Sequence, residues 1–147
     1  MPSLFCDTSA LVKWYVAEAQ SDAVDTLLQR YTYVTISRLA SLELHSALLR
    51  RQRLRQLTPD WVSEIFGLFQ EHQRQGHIRV LPLTDQQCLL AEQLLGQLSN
   101  IPLRSLDALH LACARESGLA EFATADRTQA GAARSLGFIV FDFSMPA

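Results

Sequence analysis

One stretch of the sequence decides the predicted fold: Leu4-Phe5-Cys6-Asp7-Thr8-Ser9-Ala10-Leu11-Val12. An apolar run ends at Asp7, and apolar residues at helical spacing begin directly after it, which predicts a buried strand that turns into a helix. Ligands of open α/β sheets bind beyond the carboxyl ends of the strands, so Asp7 is a candidate site residue. The same residue could simply cap the helix, because Asp, Thr and Ser are all favoured at that position.

The rest of the sequence repeats this alternation of strands and helices. Further strands are predicted at 33–36, 78–83, 122–125 and 138–141, with helices at 22–31, 38–56, 59–75, 84–98, 104–116 and 128–136. Strands that alternate with helices are typical of a parallel sheet covered on both faces. The length of 147 residues suits one unit, so we expect residues 1–147 to form a single domain.

Composition limits the classes of protein that the chain can belong to. Hydrophobic residues make up 48% of it and charged residues 19%, enough apolar surface for a packed core. The formal net charge of −2 gives no global basic field of the kind that marks a nucleic-acid binder. Cys6, Cys88 and Cys113 are widely spaced and odd in number, so we predict small core residues rather than disulfides or zinc ligands. With no leader-like start and no apolar run of about 18 residues, we expect a cytoplasmic protein that does not enter a membrane.

Two acidic residues lie within predicted helices among apolar neighbours. Glu43 shares a helix face with Leu39, Ala40 and Ala47, and a carboxylate in such surroundings is costly unless it is paired or binds a cation. A surface glutamate at the edge of the apolar stripe is an equally open interpretation. Asp107 lies near a helix start in an apolar run, where a functional role competes with stabilisation by the helix dipole.

The neighbours of these acids offer further candidates. Arg104 stands three residues before Asp107 and could pair with it, while His110 is interpreted as a packed histidine. Asp126 repeats the pattern of Asp7, an apolar strand followed by an acid and a helix, and could likewise be only a cap. Arg104 and Arg127 lie near these acids and are candidates for phosphate contacts.

Taken together, the four acids favour a shared site. Asp7 and Asp126 end strands, and Glu43 and Asp107 lie on inner helix faces, so a parallel sheet can bring them together at one edge. Converging carboxylates repel one another and must share protons or bind a cation. Oxygen ligands suit Mg²⁺ or Mn²⁺ rather than zinc. A metal at such a site can activate a water molecule for attack on the phosphorus of a phosphodiester.

The ordered set of motifs resembles the PIN-domain ribonucleases of the VapC type, the toxins of toxin–antitoxin pairs. The matching segments, which span almost the whole chain, are Phe5-Cys6-Asp7-Thr8-Ser9-Ala10-Leu11-Val12, Ile36-Ser37, Leu42-Glu43, Leu106-Asp107-Ala108-Leu109-His110-Leu111-Ala112 and Ala123-Thr124-Ala125-Asp126.

This resemblance implies a PIN-like three-layer sandwich with a five-stranded, mainly parallel sheet. It implies a Mg²⁺- or Mn²⁺-dependent endoribonuclease, the toxin of a type II pair, that forms a homodimer and is blocked by a small antitoxin protein. Carried over residue by residue, the catalytic and metal-binding positions are Asp7, Glu43, Asp107 and Asp126. Ser9 and Thr124 match polar positions that help to orient water or phosphate.

Other classes fit the sequence less well. A phosphoryl-accepting receiver domain would need a lysine at a strand end, and the only lysine is Lys13, inside the first helix. A phosphatase of the haloacid-dehalogenase type would have an aspartate where Ser9 stands. A catalytically inactive PIN-fold module that binds RNA or protein stays open, although four intact acids argue against it.

Two further patterns raise questions about partners. Arg50, Arg51, Arg53 and Arg55 end the helix that carries Glu43, where they suit the helix dipole or could bind phosphate. Between 59 and 75 the predicted helix has a broad apolar face, and we predict that Trp61 or Phe69 lines an antitoxin groove or a homodimer contact. The alternative is that the whole face belongs to the core.

Overall fold

The computed structural model describes residues 3–144, which contain five strands and seven helices. In chain order the elements are β1 (Leu4–Cys6), α1 (Thr8–Tyr15), α2 (Ser21–Leu28), β2 (Val34–Ser37), α3 (Arg38–Arg53), α4 (Pro59–Arg74), β3 (Ile78–Leu81), α5 (Asp85–Gln97), α6 (Ser105–Ser117), β4 (Glu121–Thr124), α7 (Arg127–Ser135) and β5 (Ile139–Asp142).

The strands form one sheet in the order β3-β2-β1-β4-β5, and every pairing is parallel. Strand β1 lies at the centre, with Leu4 opposite Val34 of β2 on one side and Glu121 of β4 on the other. Because all strands run the same way, their carboxyl ends share one edge of the sheet. The loops that follow β1 and β4 are therefore neighbours, which brings the two strand-end acids together.

Helices cover both faces of the sheet and create two hydrophobic cores. Side chains of a strand alternate between the faces, so Leu4 and Cys6 pack with the core formed by α1 to α4. Phe5 points to the opposite face and packs with α5, α6 and α7, where its ring stacks on Phe122 at 5.5 Å between centroids. The predicted layered α/β architecture is confirmed, and the sheet is parallel throughout rather than mainly so.

Most element boundaries lie within three residues of the predicted ones. The strand predicted at 78–83 ends at Leu81, because Pro82 has no N–H to extend a ladder. The helix predicted at 38–56 ends at Arg53. The prediction of three core cysteines is wrong for Cys88, which is exposed because α5 directs Gln87, Ala91 and Leu94 inward. None of the helices in residues 3–144 is both long and apolar enough to cross a lipid bilayer.

Candidate active site

Four acidic side chains line one cleft of about 710 Å³ at the carboxyl edge of the sheet. Asp7 directly follows β1, and Asp126 follows β4 after one intervening residue. Glu43 comes from the second turn of α3, and Asp107 comes from the first turn of α6. The parallel sheet and two helices therefore bring together all four acids that the sequence singles out.

Asp7 forms the buried floor of the cleft and is only 4% exposed. Its carboxylate accepts hydrogen bonds from Ser9 Oγ at 2.7 Å, Thr124 Oγ1 at 2.5 Å and the Ala10 backbone N–H at 3.1 Å. Burial raises the pKa of Asp7, and the nearby His110 and these hydrogen bonds counter that rise only in part. The Ala10 bond makes Asp7 the N-cap of α1, so the capping role and a place in the cleft belong to the same side chain.

Ser9 and Thr124 tie the β1 and β4 loops together around Asp7. Their hydroxyl oxygens lie 3.2 Å apart. Ser9 Oγ also accepts the Ala125 N–H at 2.8 Å, and Thr124 Oγ1 accepts the Asp126 N–H at 3.0 Å. These two hydroxyls therefore fix the position of the Asp7 carboxylate within the site.

A second cluster holds Glu43. Thr8 Oγ1 donates to Glu43 Oε1 at 2.6 Å, and His110 Nε2 lies 2.7 Å from the same oxygen. Because an ionised carboxylate only accepts, His110 Nε2 carries the shared proton. Burial raises the pKa of Glu43, but the hydrogen bonds from His110 and Thr8 and the charges of His110 and Arg104 outweigh it and hold that pKa below its usual range. These contacts therefore favour the ionised form of Glu43.

Arg104 lies at the mouth of the cleft against the remaining two acids. Its guanidinium is 3.3 Å from Asp107 Oδ2 and 3.9 Å from Asp126 Oδ2, while the Arg104 side chain is 79% exposed. Exposed ion pairs contribute at most about 1 kcal/mol, so this arginine can leave the acids at little cost. Asp126 Oδ1 also accepts the Gln129 N–H at 2.8 Å and caps α7.

The other predicted basic residues divide between the cleft and the rest of the surface. Arg50, Arg51 and Arg53 line the cleft, whereas Arg55 lies outside it. Arg127, at the start of α7, is exposed and is not among the residues that line the cleft.

The donor set fits a hard divalent cation by its chemistry, since carboxylate and hydroxyl oxygens are the ligands that Mg²⁺ and Mn²⁺ prefer. Within residues 3–144, however, no three His, Cys, Asp or Glu side chains lie close enough together to form a metal-binding group. Each acid is instead held by a donor of the protein. Binding of a cation would require some of these contacts, most easily those of Arg104, to be exchanged for the ion.

Three site residues are missed by the sequence interpretation. His110 is buried as expected, being 3% exposed, but it bonds Glu43 rather than only packing. Thr8 supplies the other donor to Glu43. Gln129, fully buried in α7, donates to the Asp107 backbone carbonyl at 3.1 Å and so joins α7 to α6. A usable signal for His110 is its position one helical turn after Asp107 on the same face.

Residues 4–135 match the model of the PIN domain family. The chain belongs to the PIN domain family. None of the proteins with curated descriptions matches this PIN domain in sequence.

Several solved structures share the fold of this PIN domain. VapC20 of Mycobacterium tuberculosis, described as a sarcin–ricin loop cleaving toxin, is 19% identical, with a TM-score of 0.71 over 92% of this chain and 96% of VapC20. VapBC2 of Rickettsia felis, bound to a DNA fragment from its promoter, is 12% identical, with a TM-score of 0.68 over 95% and 98%. FitAcB of Neisseria gonorrhoeae is 18% identical, with a TM-score of 0.65 over 94% and 96%. The predicted PIN-like fold is confirmed.

Proposed function

We propose that this PIN domain is an endoribonuclease of the VapC type, the toxin of a type II toxin–antitoxin pair. The observation that carries the proposal is that Asp7, Glu43, Asp107 and Asp126 line one cleft at the carboxyl edge of the sheet. Membership of the PIN domain family and a fold shared with VapC20 support it. The substrate class is RNA, and the reaction is hydrolysis of a phosphodiester bond.

The four acids are proposed to hold Mg²⁺ or Mn²⁺. When bound, such an ion supplies activation of water and neutralisation of charge on the phosphate. Asp7 contributes a carboxyl group in a fixed position, because Ser9 and Thr124 hold its oxygens.

The remaining residues of the cleft have supporting roles in this proposal. His110 and Thr8 keep Glu43 ionised and correctly turned, which makes them positioning residues. Arg104 pairs with Asp107 and Asp126, and a bound cation would replace it there and leave its guanidinium available to the phosphate of the substrate. Arg127 is the first residue of α7 and lies outside the lining of the cleft. It is proposed to contact a phosphate of the same RNA.

Divalent metal should be required for cleavage. We expect the purified protein to cut single-stranded RNA in Mg²⁺ or Mn²⁺ and to lose this activity in excess EDTA, because four carboxylates line the cleft and a bound cation would activate the water. The measurement is cleavage of a fluorescent RNA with each ion, with chelator, and with metal restored.

The catalytically inactive alternative makes a different forecast. A PIN-fold module that only binds RNA or protein would show no metal-dependent cleavage. A matched Asp126→Asn preparation is the control for a contaminating nuclease, because a contaminant would cleave in both preparations. Cleavage by the parent that continues undiminished in EDTA, together with no cleavage by Asp126→Asn, would contradict the metal mechanism.

The proposed partners are a small antitoxin protein and a second copy of this chain in a homodimer. The proposed location is the cytoplasm. A groove of about 620 Å³ separates the end of α1 from the α3–α4 turn, and its lining includes Tyr15, Val16, Leu57, Trp61 and Ile65. An apolar groove of this kind suits an amphipathic segment of a partner. The solved structures that share the fold include a toxin–antitoxin complex from Klebsiella pneumoniae, 15% identical with a TM-score of 0.56.

The sequence predicts that Trp61 or Phe69 lines a groove or a dimer contact, and of these two only Trp61 lines this groove. Trp61 is 56% exposed and borders the groove, and Leu68 continues its exposed stripe along α4. Phe69 is fully buried, and its ring forms a T-shaped contact with the ring of Tyr15 at 5.6 Å between centroids. The prediction is therefore wrong for Phe69, because the inner side of α4 packs on α1 and α3.

Trp61→Ala should weaken antitoxin binding without unfolding the protein. The exposed ring contributes contact area in the groove and little to the core, so we expect affinity for the product of the adjacent upstream reading frame to fall about tenfold or more. Titration calorimetry of the purified pair measures this.

Leu89→Ala on α5 is the matched control, because Leu89 is also exposed but far from the groove in the fold. Equal affinity of the parent, Trp61→Ala and Leu89→Ala proteins would mean that the antitoxin docks elsewhere.

A further inference from the structure

The face of α3 that carries Glu43 continues as a positively charged wall of the same cleft. Glu43, Ser46, Arg50 and Arg53 follow one another at i, i+3, i+7 and i+10, so they share one face of the helix. All four line the cleft. At 1.5 Å per residue, Arg50 lies roughly 10 Å and Arg53 roughly 15 Å along the axis from Glu43. The four arginines 50–55 cannot share one stripe, but these two do, and they share it with a site acid.

Arg50 and Arg53 are the arginines of the cleft wall that the chain does not itself neutralise. Both are exposed, and neither guanidinium has an ion-pair or hydrogen-bond partner within residues 3–144. Arg51, between them in sequence, donates a hydrogen bond to Glu18 at 2.9 Å. This ion pair lines the groove that also contains Trp61. Arg55 has a left-handed backbone, with φ of 59°, and lies outside the cleft.

The helix dipole does not account for this arrangement. Positive charge near the carboxyl end of a helix is favourable wherever it lies around the axis. The dipole therefore gives no reason for two unpaired arginines to stand on the face that carries Glu43. An anionic chain that enters the acidic end of the cleft, and continues along α3, does give one.

We infer that Arg50 and Arg53 bind the phosphates of the RNA strand that runs along α3 away from the cleavage point. The inference rests on the proposed nuclease function and assigns the direction in which substrate leaves the acids. Guanidinium groups bind phosphate oxygens in a bidentate way, and two of them one helical turn apart suit successive phosphates of an extended strand. The acids alone would repel the RNA, so this wall supplies the attraction that brings it into the cleft.

The test compares the parent protein with Arg50→Gln/Arg53→Gln and with Arg55→Gln. Binding of a short fluorescent single-stranded RNA of mixed sequence is measured by anisotropy in EDTA, over a series of salt concentrations, so that no cleavage occurs. We expect the double variant to bind at least about tenfold more weakly, with the slope of log affinity against log salt smaller by about 1.4, for two lost contacts on a single strand. Arg55→Gln should match the parent in affinity and slope, and thermal melts confirm that all three proteins are folded.

Three results would overturn the inference. The first is a double variant that binds RNA as Arg55→Gln does, and the second is a parent that does not bind the RNA. The third is a polyglutamate peptide that binds as tightly as RNA with the same dependence on Arg50 and Arg53, because the wall would then fit an acidic protein segment. Arginine-dependent binding without cleavage in Mn²⁺ supports the inference and contradicts the nuclease proposal. Cleavage in Mn²⁺ with the same KM for the parent and the double variant contradicts the inference and supports the nuclease proposal.

Discussion

Asp7→Asn is expected to remove nearly all nuclease activity while making the metal-free protein more stable at neutral pH. The charge of Asp7 lies at the buried floor of the cleft, and loss of one preorganised charged group costs about 100- to 1000-fold in rate. Burial raises the pKa of Asp7, so the folded protein disfavours the ionised form. The stability that this group contributes is fully present below the ordinary carboxyl pKa of about 4 and is lost as pH rises through the raised pKa. Asparagine carries no charge and avoids that loss.

The measurements are RNA cleavage in Mn²⁺ and thermal melts across pH, with and without metal. The gain of Asp7→Asn over the parent should disappear in acid below the ordinary carboxyl pKa. Added Mg²⁺ should stabilise the parent more than the variant, because the variant binds the ion less well. Glu64→Gln, on the exposed face of α4 beyond its first turn, is the matched control and should change neither property. A metal-free Asp7→Asn protein that melts below the parent at neutral pH would show that the hydrogen bonds of the carboxylate outweigh its burial.

Glu43→Gln should also abolish efficient cleavage, but it should change stability in the opposite direction. Repulsion among clustered carboxylates, taken alone, predicts that removing this charge is harmless or stabilising without metal. The contacts of Glu43 reverse that expectation, because His110 and Thr8 favour its ionised form and hold its pKa low. We expect the metal-free variant to be less stable at pH 7 by about 1 kcal/mol, which is the usual scale for a hydrogen bond to a partly exposed charged group.

The pH dependence gives the sign of this effect. A lowered carboxyl pKa contributes stability that is present above the ordinary value and is lost as pH falls through the lowered one. The gap in melting temperature between the parent and Glu43→Gln should therefore be largest at neutral pH and close in acid. Glu92→Gln, on the exposed face of α5, removes a charge without such contacts and should melt with the parent. Equal or higher stability of Glu43→Gln at pH 7 would mean that repulsion from the other acids dominates.

Local sequence was enough to predict the alternation of elements and the four acids. Strand β1 and the cap at Asp7 follow from an apolar run that ends at an aspartate, and both were predictable because the responsible contacts lie within a few residues. The same is true of Asp126, which caps α7. The placement of these acids in one functional site, and the single domain over residues 1–147, remain predictions.

Contacts between distant elements could not be read in this way. His110 looks like any packed histidine until α6 is set against α3, 67 positions earlier in the chain, where it meets Glu43. Phe69 and Trp61 belong to the same apolar stripe, and only the packing of α4 on α1 decides that one is core and the other is exposed. Cys88 is exposed, unlike the buried Cys6 and Cys113, because the packing of α5 directs other residues of that helix inward.

The sequence by itself determined the order of strands and helices, the caps and the identity of the candidate acids, since each depends on neighbouring residues. Only the tertiary structure decided the protonation preferences of those acids. Asp7 and Glu43 are both carboxylates of one cleft, yet burial raises the pKa of the first and hydrogen bonds from His110 and Thr8 lower that of the second. Desolvation and donors from distant elements set the free energy of a charge, and neither is encoded in the few residues that surround it in sequence.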